Sequence, residues 1–158
     1  SDGNPLLTRK KITVTGIEFV LLSIVSAKAI LIVGSCALLG TANTMQGLVE
    51  ALGLTLPGAG TVAATSARRL WLAKESGRRI VDLVKQGITS SQIISKQALR
   101  NAIRVLHAIG GSTNAIAHLL ALSYELHWEE EIDLALLERL SDQIPCITNV
   151  VPSGVPTL

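Results

Sequence analysis

The sequence predicts an α/β fold in which helices outnumber strands. Three observations point there. Apolar residues recur at helical spacing through most of the chain from Thr41 onward. The run AILIV (29–33) is rich in β-branched residues and ends in glycine, as a buried strand does. The composition is 48% hydrophobic but only 3% aromatic, so aliphatic side chains must fill the core. TNVV (148–151) is a weaker strand candidate, and an all-α arrangement also fits these patterns. The 158 residues are enough for one domain with its own core.

The elements follow in order. Met45, Leu48, Val49 and Leu52 keep i, i+3, i+4, i+7 spacing, so a helix runs from Thr41 and Gly53 stops it. LTLPGAGT (54–61) is a loop, with Pro57-Gly58 marking a turn. Residues 62–86 read as one long helix or two shorter ones. Leu70, Ala73, Gly77, Ile80, Val81 and Val84 share one face, and Arg68, Arg69, Lys74, Arg78 and Arg79 lie elsewhere. Gly87 ends this stretch, and Thr89 or Ser90 caps a short helical turn. Ser95 reads as the N-cap of SKQALRNAIRVLHAI, with Ala98, Ala102, Val105 and Leu106 inward. GGSTN (110–114) breaks the period, and a helix resumes through AIAHLLALSYEL. Asp133 caps DLALLERLSDQI. The tail PCITNVVPSGVPTL has three prolines and no helical period.

Charge narrows the function classes. Net charge is +2, with a pI near 8.7 and a mean hydropathy of +0.46. Basic residues form no continuous stripe, and Arg9, Lys10 and Lys11 make only a short cluster. A nucleic-acid partner is therefore not expected. Residues 17–40 are apolar, but Glu18 and Lys28 interrupt the run and Gly34 and Ser35 end its β-branched part. Buried strands or a core helix suit it better than a membrane span. The start SDGNP has no basic n-region or cleavage site of a signal peptide. Cys36 and Cys146, far apart and without a CxxC, point to a reducing compartment, cytoplasmic or an organelle matrix.

Several residues can carry chemistry. Cys36 sits in GSC, just ahead of the helix start at Thr41. A thiolate ligates metals, glycine neighbours admit a bulky group, and a helix N-terminus favours negative charge. The same residue could equally be a small buried hydrophobe. In GGSTN, two glycines followed by Ser112, Thr113 and Asn114 at a helix start suit an anion- or hydroxyl-binding nest, or a plain connection with an N-cap. TANTM offers the same chemistry with Thr41, Asn43 and Thr44. His107 and His118 flank GGSTN but have no carboxylate at ligand spacing, so structural histidines are expected. WEEEID (128–133) reads as solvated surface or a weak cation site, and Cys146 as structural. There is no GxSxG, no P-loop and no GxGxxG.

Taken in order, GSCALLGTANTMQGLVEALGLTLPGAGTV, then AKESGRRIVDLV, then SKQALRNAIRVLHAIGGSTNAIAHLLALSYE and IPCITNVVPSG resemble the dihydroxy-acid and sugar-acid dehydratase family. The resemblance covers residues 34–155, a fragment of that family's N-terminal domain, and leaves 1–33 unmatched. It implies the helix-rich part of a parallel-sheet α/β/α layer domain. It implies a hydro-lyase that dehydrates 2,3-dihydroxy acids to 2-keto acids in branched-chain amino acid biosynthesis. It also implies an iron-sulfur cluster ([2Fe-2S] or [4Fe-4S]) acting as Lewis acid on the leaving hydroxyl, with Mg2+ holding the carboxylate and the 2-hydroxyl. By the same match Cys36 is a cluster ligand. The family's Cys-Asp-Lys motif, catalytic serine and further metal carboxylate have no counterpart here, so this chain alone is expected to lack the full active site. The other readings are a sugar-acid dehydratase fragment and a truncated, non-catalytic remnant or interaction module. An unpartnered apolar face would drive homodimerisation or self-association.

Overall fold

A computed structural model of the chain describes residues 39–148. Those residues form six helices and one 3-10 turn. They are α1 (Thr41–Ala51), the turn Ala59–Thr61, α2 (Ala67–Lys85), α3 (Ser90–Ile93), α4 (Lys96–Ala108), α5 (Asn114–Glu125) and α6 (Leu134–Gln143). The expected parallel sheet is not among them. AILIV lies outside the described residues. Thr148, the one described residue of TNVV, is in irregular backbone, because its side chain and its neighbour Ile147 bond the end of α4 rather than another strand.

Local chemistry sets most boundaries. Ser66 Oγ accepts from Arg68 N, Ser95 Oγ from Ala98 N and Asp133 Oδ1 from Leu136 N, so three helices start at side-chain caps. The Ser66 cap is why residues 62–66 stay out of α2, which is a single helix. Thr89 and Gln92 form a reciprocal capping box on α3.

The core gathers around α4. Leu99, Ala102, Ile103, Val105 and Leu106 are buried there, and Leu48 of α1, Leu119 of α5 and Leu136, Leu137 and Leu140 of α6 pack on them. Sequence periodicity names Ala98 as inward, yet it is only half-buried while Leu99 and Ile103 are fully enclosed. The buried arc of α4 is wider than a single stripe because α1, α5 and α6 all pack against it.

A polar clamp ties the LPGAGT loop to α1. Glu50 accepts from Gly58 N (2.6 Å) and Gly60 N (2.9 Å). Arg69 donates to the carbonyls of Ala59 and Val62 and to Gln46 Oε1. Behind the clamp, Ala59, Val62 and Leu72 form a small second core.

α2 is otherwise outward. Leu72 is its one buried residue. The face shared by Leu70, Gly77, Ile80, Val81 and Val84 is exposed, with Leu70 at 77% and Val84 at 73%. Nothing lies within 4 Å of a Cβ built on Gly77. Gly77→Ala is therefore expected to raise stability by about 0.5–1 kcal/mol in urea unfolding, because it removes a flexible residue from a helix interior without a clash.

Candidate functional site

The two hydroxyl-rich segments, 68 or more residues apart in sequence, form one joint. The chain reaches it from α4 through a C-terminal turn. Gly110 adopts φ +57, its N–H bonds His107 O (3.1 Å), and Gly111 N bonds Leu106 O (2.9 Å). This double closure needs a left-handed residue, which is why glycine stands there. Gly111 then passes against α1. A Cβ on it would lie 2.7 Å from Thr44 Cγ2 and 2.8 Å from Leu106 Cδ1.

Beyond the glycines the side chains interlock. Ser112 N donates to the fully buried Thr44 Oγ1 (2.9 Å). Ser112 Oγ and Thr41 Oγ1 are hydrogen-bonded at 3.3 Å. Asn114 Nδ2 donates to Thr41 Oγ1 (2.9 Å), and Asn114 N donates to Ser112 Oγ (3.3 Å). The first turns of α1 and α5 are thereby fixed side by side. Thr113, exposed at the N-cap of α5, caps it with no side-chain hydrogen bond. Gly40 at the N-cap of α1 has no side chain to offer. Neither helix has an acidic residue in its first turn. The joint is uncharged, and its electrostatics come from two positive helix ends.

The tail closes the other side. Ile147 N donates to Ala108 O (2.9 Å) and Thr148 Oγ1 to Ile109 O (2.6 Å), which satisfies carbonyls at the end of α4. Cys146 is exposed, with Sγ donating to Thr148 O at 3.5 Å. Its Sγ would sit 3.0 Å from a Cβ on Gly110. Cys146 thus borders the glycine turn, a placement its position in a prolyl tail does not announce.

The other candidates stand apart. Cys36 lies outside the described residues, five positions before Thr41. His118 is exposed on α5. His107 bonds the Leu137 backbone, while its Nε2 is buried with no hydrogen-bond partner. Burial lowers its pKa from the ordinary 6.5, and the Leu137 bond opposes this in part. Because the folded pKa is below the unfolded one, the unfolded chain binds more protons as pH falls. Stability is therefore expected to drop from about pH 7 to about pH 5, and His107→Gln should flatten that part of the melting profile. In WEEEID, Glu131 is paired with Lys96 and lies 3.8 Å from Arg100. The Lys96 hydrogen bond holds the Glu131 carboxyl below its usual range. Among the described residues no group of three or more His, Cys, Asp or Glu could hold a metal ion.

Residues 11–157 match the family model described as dihydroxy-acid/6-phosphogluconate dehydratase N-terminal. The chain belongs to this dehydratase family. The match begins ahead of the segments that carry the resemblance, and it takes in Cys36 and both halves of the joint. A dihydroxy-acid dehydratase of Ignicoccus hospitalis is 52% identical over 121 residues, 77% of this chain and 22% of that protein. One of Methanothrix thermoacetophila is 47% identical over the same shares. One of Mycobacterium ulcerans is 42% identical over 77% of this chain and 21% of its own length. This dehydratase-family chain therefore spans about a fifth of the length of the curated relatives it matches. No helix among its described residues is long and apolar enough to cross a membrane.

Proposed function

We infer that this chain is part of a hydro-lyase that removes water from a 2,3-dihydroxy acid and yields a 2-keto acid, in the synthesis of isoleucine and valine. The observation that carries this is the 52% identity to a relative named dihydroxy-acid dehydratase. The joint of Thr41, Thr44, Ser112 and Asn114 supports it. Dehydration of such an acid removes the C3 hydroxyl and the C2 proton, and the resulting enol becomes the keto acid. The substrate is an anion that carries two hydroxyls, and its carboxylate charge persists through the reaction. Two positive helix ends braced by neutral hydroxyls and an amide suit an anion of that kind without competing carboxylates. Ser112, Thr113 and Asn114 are the substrate-facing candidates, and of these Thr113 has the exposed hydroxyl.

The described residues do not fit the cofactors that the resemblance implies. A cluster takes thiolates and Mg2+ takes carboxylates, while the joint offers hydroxyls and an amide. The cluster and Mg2+ therefore enter this reading only with Cys36 and with residues beyond this chain. The partners proposed are the small dihydroxy acid and a further copy or domain of the enzyme.

The test is a chimera in which residues 34–155 replace the matching segment of the Ignicoccus hospitalis relative. Dehydration of a branched aliphatic 2,3-dihydroxy acid, and not of a sugar acid, is expected. A folded chimera that dehydrates neither would overturn the reading, and one that prefers the sugar acid would move it to the other substrate class.

A further inference from the structure

His107 stands where α4, α6 and the tail meet. Leu137 of α6 packs into the core built on α4, and a ring nitrogen of His107 bonds the Leu137 backbone. Leu137 N is already engaged with Asp133 O (3.2 Å), so the ring N–H donates to the Leu137 carbonyl. That donor is Nδ1, because Nε2 is buried and has no hydrogen-bond partner among the described residues. One residue further along α4, Ala108 O accepts from Ile147 N (2.9 Å), and Ile109 O accepts from Thr148 Oγ1 (2.6 Å). The chain that leaves α6 is thus tied to α4 twice, once through the imidazole and once through the tail.

A neutral imidazole suits this place. Nδ1–H has its acceptor, and Nε2 forgoes only a donor. The protonated ring adds a buried N–H at Nε2 with no acceptor among the described residues, and a charge beside the core. The charged and titratable groups on the surrounding elements do not offset this. One turn back on α4, Arg104 donates to Asn101, and two turns back Arg100 lies 3.8 Å from Glu131; both are positive. One turn from Leu137 on α6, Asp133 Oδ1 is held by Leu136 N, while Glu138, Arg139 and Asp142 are exposed. On the tail, Cys146 donates to Thr148 O. On α1, Glu50 holds Gly58 N and Gly60 N, and on α5 His118 is exposed. None of these groups is among the causes acting on the ring, which are burial and the Leu137 bond.

We propose that His107 is a proton-operated latch: neutral, it holds α6 and the 144–148 tail on the end of α4, and protonated, it releases them while the rest of the core stays folded. The attached form binds the proton less well than the released one, in which the ring titrates near its ordinary 6.5. Release therefore grows as pH falls below about 6.5. It uncovers the Gly110 turn, against which Cys146 Sγ now lies, and so reaches the joint of Thr44 and Ser112 from behind. The latch goes beyond the dehydratase reading and does not depend on it.

The test is residue-resolved amide exchange of the full 158-residue chain at about pH 7.5 and about pH 5, corrected for the intrinsic pH dependence of exchange. The amides of Leu140, Ile144 and Ile147 are expected to lose protection about tenfold or more on acidification, while Ile103 and Val105 in α4 keep theirs. His107→Gln, which stays neutral and still carries an N–H donor, should abolish that loss. Nitrogen NMR of the wild-type ring needs no substitution and decides the case even where the variant does not fold. It should show a neutral ring protonated at Nδ1 that titrates below 6.5. A ring that titrates at 6.5 or above would overturn the proposal. So would protection that is unchanged at acid pH, that falls equally in α4 and α6, or that falls as much in a folded His107→Gln.

Discussion

Gly111→Ala should lower stability by about 1–3 kcal/mol and separate the two halves of the candidate site. The added methyl group would meet Thr44 Cγ2 at 2.7 Å and Leu106 Cδ1 at 2.8 Å. Neither neighbour yields easily. Thr44 is β-branched, helical and fully buried, and its hydroxyl accepts from Ser112 N. Leu106 is 3% exposed in the main core. Relief requires moving the 110–114 turn away from α1, which breaks the Thr44–Ser112 and Thr41–Asn114 bonds together. Denaturant unfolding gives the energy, and amide exchange at Ser112 gives the local loss. An unchanged midpoint with unchanged exchange would show that the close approach is not what holds the joint.

Glu50→Ala should cost about 2–4 kcal/mol, because two backbone N–H groups lose a charged acceptor at once. Those groups are Gly58 N and Gly60 N, both in the LPGAGT loop. Arg69 grips the same loop through Ala59 O and Val62 O, so the loss should stay local before it becomes global. Amide exchange at Gly58 and Gly60 is expected to accelerate in Glu50→Ala while Leu99 and Ile103 in α4 stay protected. Glu50→Gln keeps one acceptor oxygen and sets an NH2 against the other N–H, so it should fall between wild type and alanine. A loss below about 0.5 kcal/mol in Glu50→Ala would mean that solvent replaces the carboxylate freely.

What could be read from the sequence was what is local. Ser95 and Asp133 cap the helices they were expected to cap, and Gly53, Gly87 and Gly110 take the positive φ that helix ends call for. The exposed character of most of WEEEID also follows from its charge, whereas period left one or two helices open over 62–86 and the Ser66 cap decides for the single α2. The joint did not. Both hydroxyl segments were visible as candidates, but the bonds from Thr41 and Thr44 to Ser112 and Asn114 cross about 70 residues, and no local rule pairs them. Periodicity placed Leu70, Ile80 and Val84 on one face of α2 without saying which way that face turns. Its direction is set by Leu72, which packs the far side of the helix into the small second core, and by Arg69 on the flank, which grips the loop. Cys146 beside Gly110 is a third case, since a tail without period gives no sign of where it docks.

We propose that Cys36 is the one residue of this chain that would ligate an iron-sulfur cluster in the hydro-lyase to which residues 34–155 contribute. Iron and acid-labile sulfide in the chimera described above test it most directly, comparing wild type with Cys36→Ala and Cys146→Ala after anaerobic reconstitution. Full iron and sulfide in the wild type and in Cys146→Ala, with both lost in Cys36→Ala, is the expected result. Equal iron in all three would contradict it, because Cys36 would then carry no cluster.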